Sequence, residues 1–261
     1  KPPPFEQQGI SENDLIDCTP ALRREALEVM SSYKMGPLFN PPIHDENTQG
    51  LISSAMCPGD GGGANIYAPP AADPTTGFLY VPSANNCSWQ RVIPGEEADA
   101  RIDKPTGTTF AAYANGAGGR PPRLASNLPY VKPPYSTVTA YDMNTGEIAF
   151  RIPAGETPDR VRNNPALEGV DVGDTGSGRA PSMVATANML IYASIDHDGS
   201  PLLYAVDKQT GEELGRIEIP GEVRYGMSSW MHDGHQYVIL QAGPRLVAMA
   251  LPAALEDVAS H

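Results

Sequence analysis

The chain has 261 residues, enough to bury a sizeable core in one domain or two small ones. Its 31 Asp and Glu outnumber 18 Lys and Arg, and the net charge of −13 repels nucleic acid and anionic membrane surfaces. No apolar run approaches the roughly 18 residues of a membrane span. Gly (26) and Pro (27) together make about a fifth of the residues, against a usual share of roughly 12%. Punctuation this dense fits many short strands joined by loops, so the chain reads as all-β.

In chain order, Lys1-Pro2-Pro3-Pro4-Phe5 lacks the apolar stretch of a signal peptide; either a signal has been removed or the sequence begins inside a larger protein. Thr19-Pro20 is a helix N-cap followed by proline at the first helical position. Leu22, Ala26, Val29, Met30 and Tyr33 then recur at helical spacing, which predicts one amphipathic helix over 20–33, its apolar face lying against the sheets. Gly36-Pro37 ends it, and 43–50 reads as a polar loop. Residues 1–50 form a connecting segment and 51–261 the sheet-rich body.

The frame Asp-x-x-Thr-Gly occurs at Asp73–Gly77, Asp142–Gly146 and Asp207–Gly211, its first residues 69 and 65 positions apart. Such self-similarity predicts one structural unit about every 65 residues, as in the blades of a β-propeller. Each fixed residue suits a tight turn between antiparallel strands. Asp accepts a hydrogen bond from a backbone N–H two residues on, and Gly supplies a positive φ. Strand patterns flank the frames at 78–82, 137–141, 147–153, 202–206 and 213–220. Asp233-Gly234 predicts a type I′ hairpin between 227–231 and 237–240. Segments 88–136 and 154–178 read as long loops that either cover a site or are partly disordered, and Pro252–Asp257 as a short turn.

Several groups invite a chemical reading. The glycines of Gly59-Asp60-Gly61-Gly62-Gly63-Ala64-Asn65 would let backbone approach a flat ligand, with Asn65 as donor and acceptor; a plain glycine turn is the rival. Arg179 can pair with a ligand carboxylate, or close its loop against an acid such as Asp174. Trp89 lines a substrate or packs in the core. Asp196-His197-Asp198-Gly199 starts like a calcium loop and lacks the remainder, so a hairpin turn is expected there. His44, His232 and His235 lack metal-ligand spacing. Of three cysteines, Cys57 and Cys87 can pair in an oxidising compartment; connectivity stays open.

Lys34-Met35-Gly36-Pro37-Leu38-Phe39-Asn40-Pro41-Pro42, Gly61–Asn65, Asp73–Pro82 and Pro129–Tyr135 resemble elements of the pyrroloquinoline quinone (PQQ) dependent dehydrogenases, nearest the glucose/quinate type. Ala140-x-Asp142-x-x-x-Gly146-Glu147 and Ala205-x-Asp207-x-x-x-Gly211-Glu212 are similar to their tryptophan-docking motif. The resemblance implies three to four four-stranded antiparallel blades of an eight-bladed propeller, carrying one short helix. It implies PQQ and calcium or another divalent cation as cofactors, the quinone contacted on this chain by Gly62, Gly63 and Asn65 and the cation liganded mainly outside it, with Trp89 near the substrate; Arg179 joins the cofactor-binding candidates on its own chemistry. The reaction implied is hydride transfer from a sugar, polyol or other alcohol to C5 of the quinone, in a periplasmic or secreted protein. The catalytic base and most metal ligands have no counterpart here. A complementary propeller chain or a second copy is therefore the expected partner, and this chain alone should not turn over.

Against the motif, Phe150 and Gly215 replace the usual tryptophans, Ile66 replaces another, and Arg179-Ala180 stands where Gly-Gly is common. These departures imply weaker stacking between blades. They leave a second expectation, a non-catalytic scaffold that has lost the quinone.

Overall fold

A computed structural model describes residues 1–60, 62–64, 66–100, 113–115 and 121–250. The possible turn at Pro252–Asp257 lies outside the described residues. Two four-stranded antiparallel sheets dominate. The first orders strands Glu147–Pro153, Ser136–Asp142, Phe78–Ala84 and Ala71–Asp73; the second runs Ser182–Ala185, Met189–Ile195, Pro201–Asp207, Glu213–Glu218. A three-stranded sheet follows, built from Ser228–His232, His235–Ala242 and Arg245–Ala250.

The three Asp frames close their turns alike. Each aspartate carbonyl accepts from the glycine N–H four residues on, at 2.9, 2.7 and 2.8 Å, and each glycine has φ between +76 and +78°. Each carboxylate accepts from the N–H two residues on, at 3.0, 2.8 and 2.8 Å. These are the turns the frame predicts. The repeat period is different from the expectation. The first two frames join strand pairs of the same sheet and touch there, Met143 N–H donating to Gly77 O at 2.9 Å, so only the 65-residue step runs from one sheet to the next. The 69-residue step arises because residues 85–135 are inserted between two paired strands, 78–84 and 136–142.

The sheets stack face to face through two cores. Tyr80, Val138 and Ala140 of the first meet Met183, Leu190, Tyr192, Leu202, Tyr204 and Val206 of the second. Its other face places Ala193, Leu203 and the adjoining Ile219 against Leu240 and Ala242 of the third. Period-2 alternation along each strand permits both contacts at once. At the docking position, a Cβ on Gly211 would lie 2.8 Å from the Phe150 ring, so Phe150 takes up the inter-sheet contact that its difference from tryptophan put in question. Beside Gly215 there is open space. Lys208 Nζ, on the third turn, reaches back to Asp73 at 2.6 Å, both nearly buried, and Tyr80 OH donates to Lys208 O at 2.8 Å.

The helix runs Pro20–Met30, with Thr19 Oγ1 accepting from Leu22 N–H at 3.2 Å. It is shorter than predicted because Tyr33–Lys34 leave it to pair with Ser53–Ser54. Leu22, Ala26 and Met30 do not face the blades. They join Ile10, Leu15, Ile16, Trp89, Leu128, Val131 and Tyr135 in a separate core that draws on segments either side of residue 50. The predicted loop 88–136 is not structureless: Ser88–Pro94 is a strand that buries Trp89 and Ile93, followed by the helix Gly95–Ala100 and the strand Tyr113–Asn115. Ile43–His44 likewise pairs with Arg91–Val92 rather than lying in a loop. Segment 154–178 holds two short helical turns, Asp159–Arg162 and Pro165–Leu167, whose Val161 and Leu167 plug the same core. Strands of two or three residues, such as Ile43–His44 and Tyr113–Asn115, carry too few alternating residues to be read from pattern alone, whereas Ser88–Pro94 has seven residues and was long enough to be legible.

Cys57 and Cys87 form a disulfide that closes a 30-residue separation, and Cys18 is free. Converting both partners to serine should lower stability by about 2–5 kcal/mol, because the cross-link limits the unfolded chain. Chemical denaturation with and without reductant measures it; equal midpoints for the variant and the oxidised parent would rule the linkage out as a stabiliser.

Candidate functional site

The Asp-frame turns all lie at one end of the sheets. At the opposite end, the segments entering and joining the strands enclose a cleft of about 550 Å³. It is lined by Tyr67 and Asn86 beside the first sheet, Gly178, Arg179 and Ala180 before the second, and Glu222, Arg224 and Tyr225 before the third.

The Arg179 loop is pinned from below. Ser136 Oγ donates to Ala154 O at 3.0 Å and accepts from Gly178 N–H at 3.1 Å. Ser194 Oγ joins the node through Ser177 Oγ at 3.1 Å and Ala154 O at 3.2 Å. Gly176, at φ +72°, presses on Ser136 O so closely that a Cβ would sit 2.4 Å from it. Only glycine meets both demands. A hydrogen-bonded hydroxyl cluster, with Ser136 and Ser177 buried and Ser194 half-buried, therefore sets where Arg179 emerges.

From that base the Arg179 guanidinium, 62% exposed, pairs with Glu222 at 2.5 Å rather than with Asp174. Arg224 approaches the same carboxylate at 3.8 Å. Two guanidiniums share one carboxylate, a local positive excess on a chain of net charge −13. Beside them the Tyr67 and Tyr225 rings meet edge to face at 5.9 Å. Small residues, Gly178, Ala180 and Ala193, leave room between the charged and aromatic sides. Such a wall can hold a flat molecule bearing several carboxylates: guanidiniums bind carboxylates through paired N–H groups, and aromatic faces stack on planar rings.

The other sequence-derived candidates sit differently. Gly62 and Gly63 are buried one layer behind the cleft. Gly63 bridges to Ala84, and a Cβ on Gly62 would lie 2.2 Å from Asn86 O, so chain crossing explains both glycines. Asn65 lies outside the described residues. Trp89 is 7% exposed in the helix-bearing core, donates to Tyr130 OH at 3.2 Å and meets Tyr33 edge-on at 4.8 Å. Burial there pushes the Tyr130 phenol up to about 12. Packing accounts for Trp89 fully. Asp196–Gly199 forms the expected hairpin turn, closed by Asp196 N–H to Ser200 O at 2.8 Å. Ligating atoms of Glu156, Asp196 and His197 lie within 4.8 Å of one another. Arg216 and Arg162 both pair with Glu156, and Asp159 holds His197 Nδ1 at 3.2 Å, so the group acts as an ion-pair network bracing two loops. Tyr67, Asn86, Glu222, Arg224 and Tyr225 were missed by sequence reasoning. They lie in three loops up to 158 positions apart, with no shared motif.

Stacked four-stranded antiparallel sheets whose loops surround a cleft at one end define a β-propeller sector. The family described as "PQQ: Glucose/ethanol/alcohol dehydrogenase, beta-propeller domain" matches residues 1–238, and the chain belongs to it. The quinate/shikimate dehydrogenase (quinone) of Acinetobacter baylyi is 26% identical over 255 residues, covering 92% of this chain and 30% of that protein. The glycerol dehydrogenase large subunit of Gluconobacter thailandicus is 25% identical over 229 residues, covering 77% of this chain and 30% of its own length. Among solved structures, a quinohemoprotein alcohol dehydrogenase from Pseudomonas putida HK5 superposes with a TM-score of 0.46 at 18% identity, over 77% of this chain and 25% of that one. The chain thus spans about 30% of the length of the relatives it matches.

Proposed function

We propose that this chain supplies part of the cofactor-facing wall of a PQQ-dependent dehydrogenase that oxidises a sugar, polyol or other alcohol. The observation that carries this is the Arg179–Glu222–Arg224 group beside the Tyr67–Tyr225 pair, a cationic and aromatic cleft in an otherwise acidic chain. PQQ is flat and carries three carboxylates, so its shape and charge fit the residues present. When bound it supplies the hydride acceptor, with calcium or another divalent cation as the Lewis acid.

In this account Arg179 and Arg224 bind and orient carboxylates, Tyr67 and Tyr225 shield the ring from water, and the serine node keeps Arg179 in register. Gly62 and Gly63 act one layer back, where Gly59 N–H donates to the Asn86 carbonyl at 2.8 Å and Gly62 presses on the same oxygen. Asn65 is assigned a cofactor contact on family resemblance. Among the described residues the cleft offers one carboxylate, Glu222, and it is engaged by two arginines. The proton acceptor and the metal ligands are accordingly assigned to further blades, in the same polypeptide, a companion chain or a second copy. The third sheet supports such a neighbour, because Trp230 and Leu246 lie exposed on the face away from the second sheet. The disulfide suits an oxidising compartment, periplasmic or extracellular; among the described residues no helix is long and apolar enough to cross a membrane.

Adding PQQ with calcium should raise the thermal midpoint of this chain in proportion to the logarithm of free PQQ, since a ligand at 100 times its Kd contributes about 2.7 kcal/mol. An unchanged midpoint together with no heat of binding in calorimetry would refute a PQQ site here.

A further inference from the structure

The position of Glu222 deepens the account above and rests on it. Its backbone is fixed: Glu222 O accepts from Gly243 N–H at 2.9 Å, and Val223 bridges to Ala242. Its side chain, 37% exposed, extends from that backbone to the two arginines. That side chain now lies against Arg179 at 2.5 Å and Arg224 at 3.8 Å, in the place where a ligand carboxylate would pair with the same two guanidiniums.

We propose that Glu222 is an internal counter-ion latch, a carboxylate that occupies the arginine pair until a ligand displaces it and so selects ligands carrying more than one carboxylate. Tethering gives Glu222 an effective concentration on the order of millimolar or higher at the arginines. A monocarboxylate offers those arginines nothing that Glu222 does not already offer, and competes poorly. A rigid polycarboxylate engages both guanidiniums at once while its ring lies against Tyr67 and Tyr225, and it wins. Rim exposure of the pair, 62% for Arg179 and 76% for Arg224, keeps the latch weak enough to open.

The test is calorimetric titration of the parent chain and Glu222→Gln with three probes: PQQ, benzene-1,3,5-tricarboxylate and benzoate. Removing the charge should tighten PQQ and the tricarboxylate roughly three- to tenfold and bring benzoate from no measurable binding into the millimolar range. Glu222→Asp, which keeps the charge on a shorter arm, should show a smaller gain and guards against a folding defect in the first variant. PQQ binding equally to all three proteins would overturn the latch and leave the cofactor site standing. Failure of every protein to bind PQQ would overturn both.

Discussion

Replacing Lys208 with methionine is expected to cost this chain about 3–5 kcal/mol, because Asp73 would keep a buried charge without its counter-charge. Stabilities of whole domains are only about 5–15 kcal/mol, so the variant should sit close to unfolding at room temperature. The two residues come from turns of adjacent sheets and meet at 2.6 Å with 8% and 5% of their surfaces exposed. Asp73 also accepts from Thr75 N–H and Thr76 Oγ1. The Lys208 ammonium, ahead of these hydrogen bonds, holds the Asp73 carboxyl well below its ordinary value of 3.8. A depressed carboxyl contributes stability that is present above the unfolded value and lost as the pH falls through the folded one. The parent should therefore lose stability below about pH 4, and Asp73→Asn should flatten that slope. The double variant Asp73→Asn, Lys208→Met should recover most of the loss, since neither partner then carries an unpaired charge. Urea titrations of the four proteins form the cycle. A coupling energy near zero would mean that the pair does not join the sheets.

Arg179→Gln combined with Arg224→Gln is expected to weaken PQQ binding roughly thirtyfold or more while leaving the thermal midpoint of the ligand-free chain nearly unchanged. Both arginines lie on the exposed rim, where an ion pair to Glu222 adds little to folding. Toward a ligand the balance shifts, because each guanidinium supplies charge-assisted hydrogen bonds within a partly enclosed cleft. Affinity of the parent should also fall as salt rises, and this dependence should shrink in the double variant. Quenching of intrinsic fluorescence follows both. If the double variant binds PQQ as tightly as the parent, the cleft is not where the cofactor carboxylates sit.

What could be read from sequence follows a physical division. A turn is a local object. Asp73, Asp142 and Asp207 each bond an N–H two residues away, and Gly77, Gly146 and Gly211 each need a positive φ, so three residues in a five-residue window announce each turn. Asp233-Gly234 announces its hairpin for the same reason: both residues have positive φ, 46° and 80°. Thr19-Pro20 marks a helix start through groups within one helical turn. Arg179 was visible as a cation in a glycine-rich loop. Its partner was not, because Glu222 lies 43 positions further on with turns and two sheet edges between.

Local chemistry in the amino-acid order was enough to specify turns and strand faces, since those depend on neighbours along the chain and on alternation of side chains; the propeller class came from the resemblance of longer motifs. Assembly decided everything that needs two distant segments to meet. The first two Asp frames share one sheet because strands 78–84 and 136–142 pair across an insertion. Trp89 went to a core rather than a cleft because its strand docks on 54–56. The arginine–glutamate cluster exists only where the loops leading into the second and third sheets converge, a consequence of how apolar faces stack.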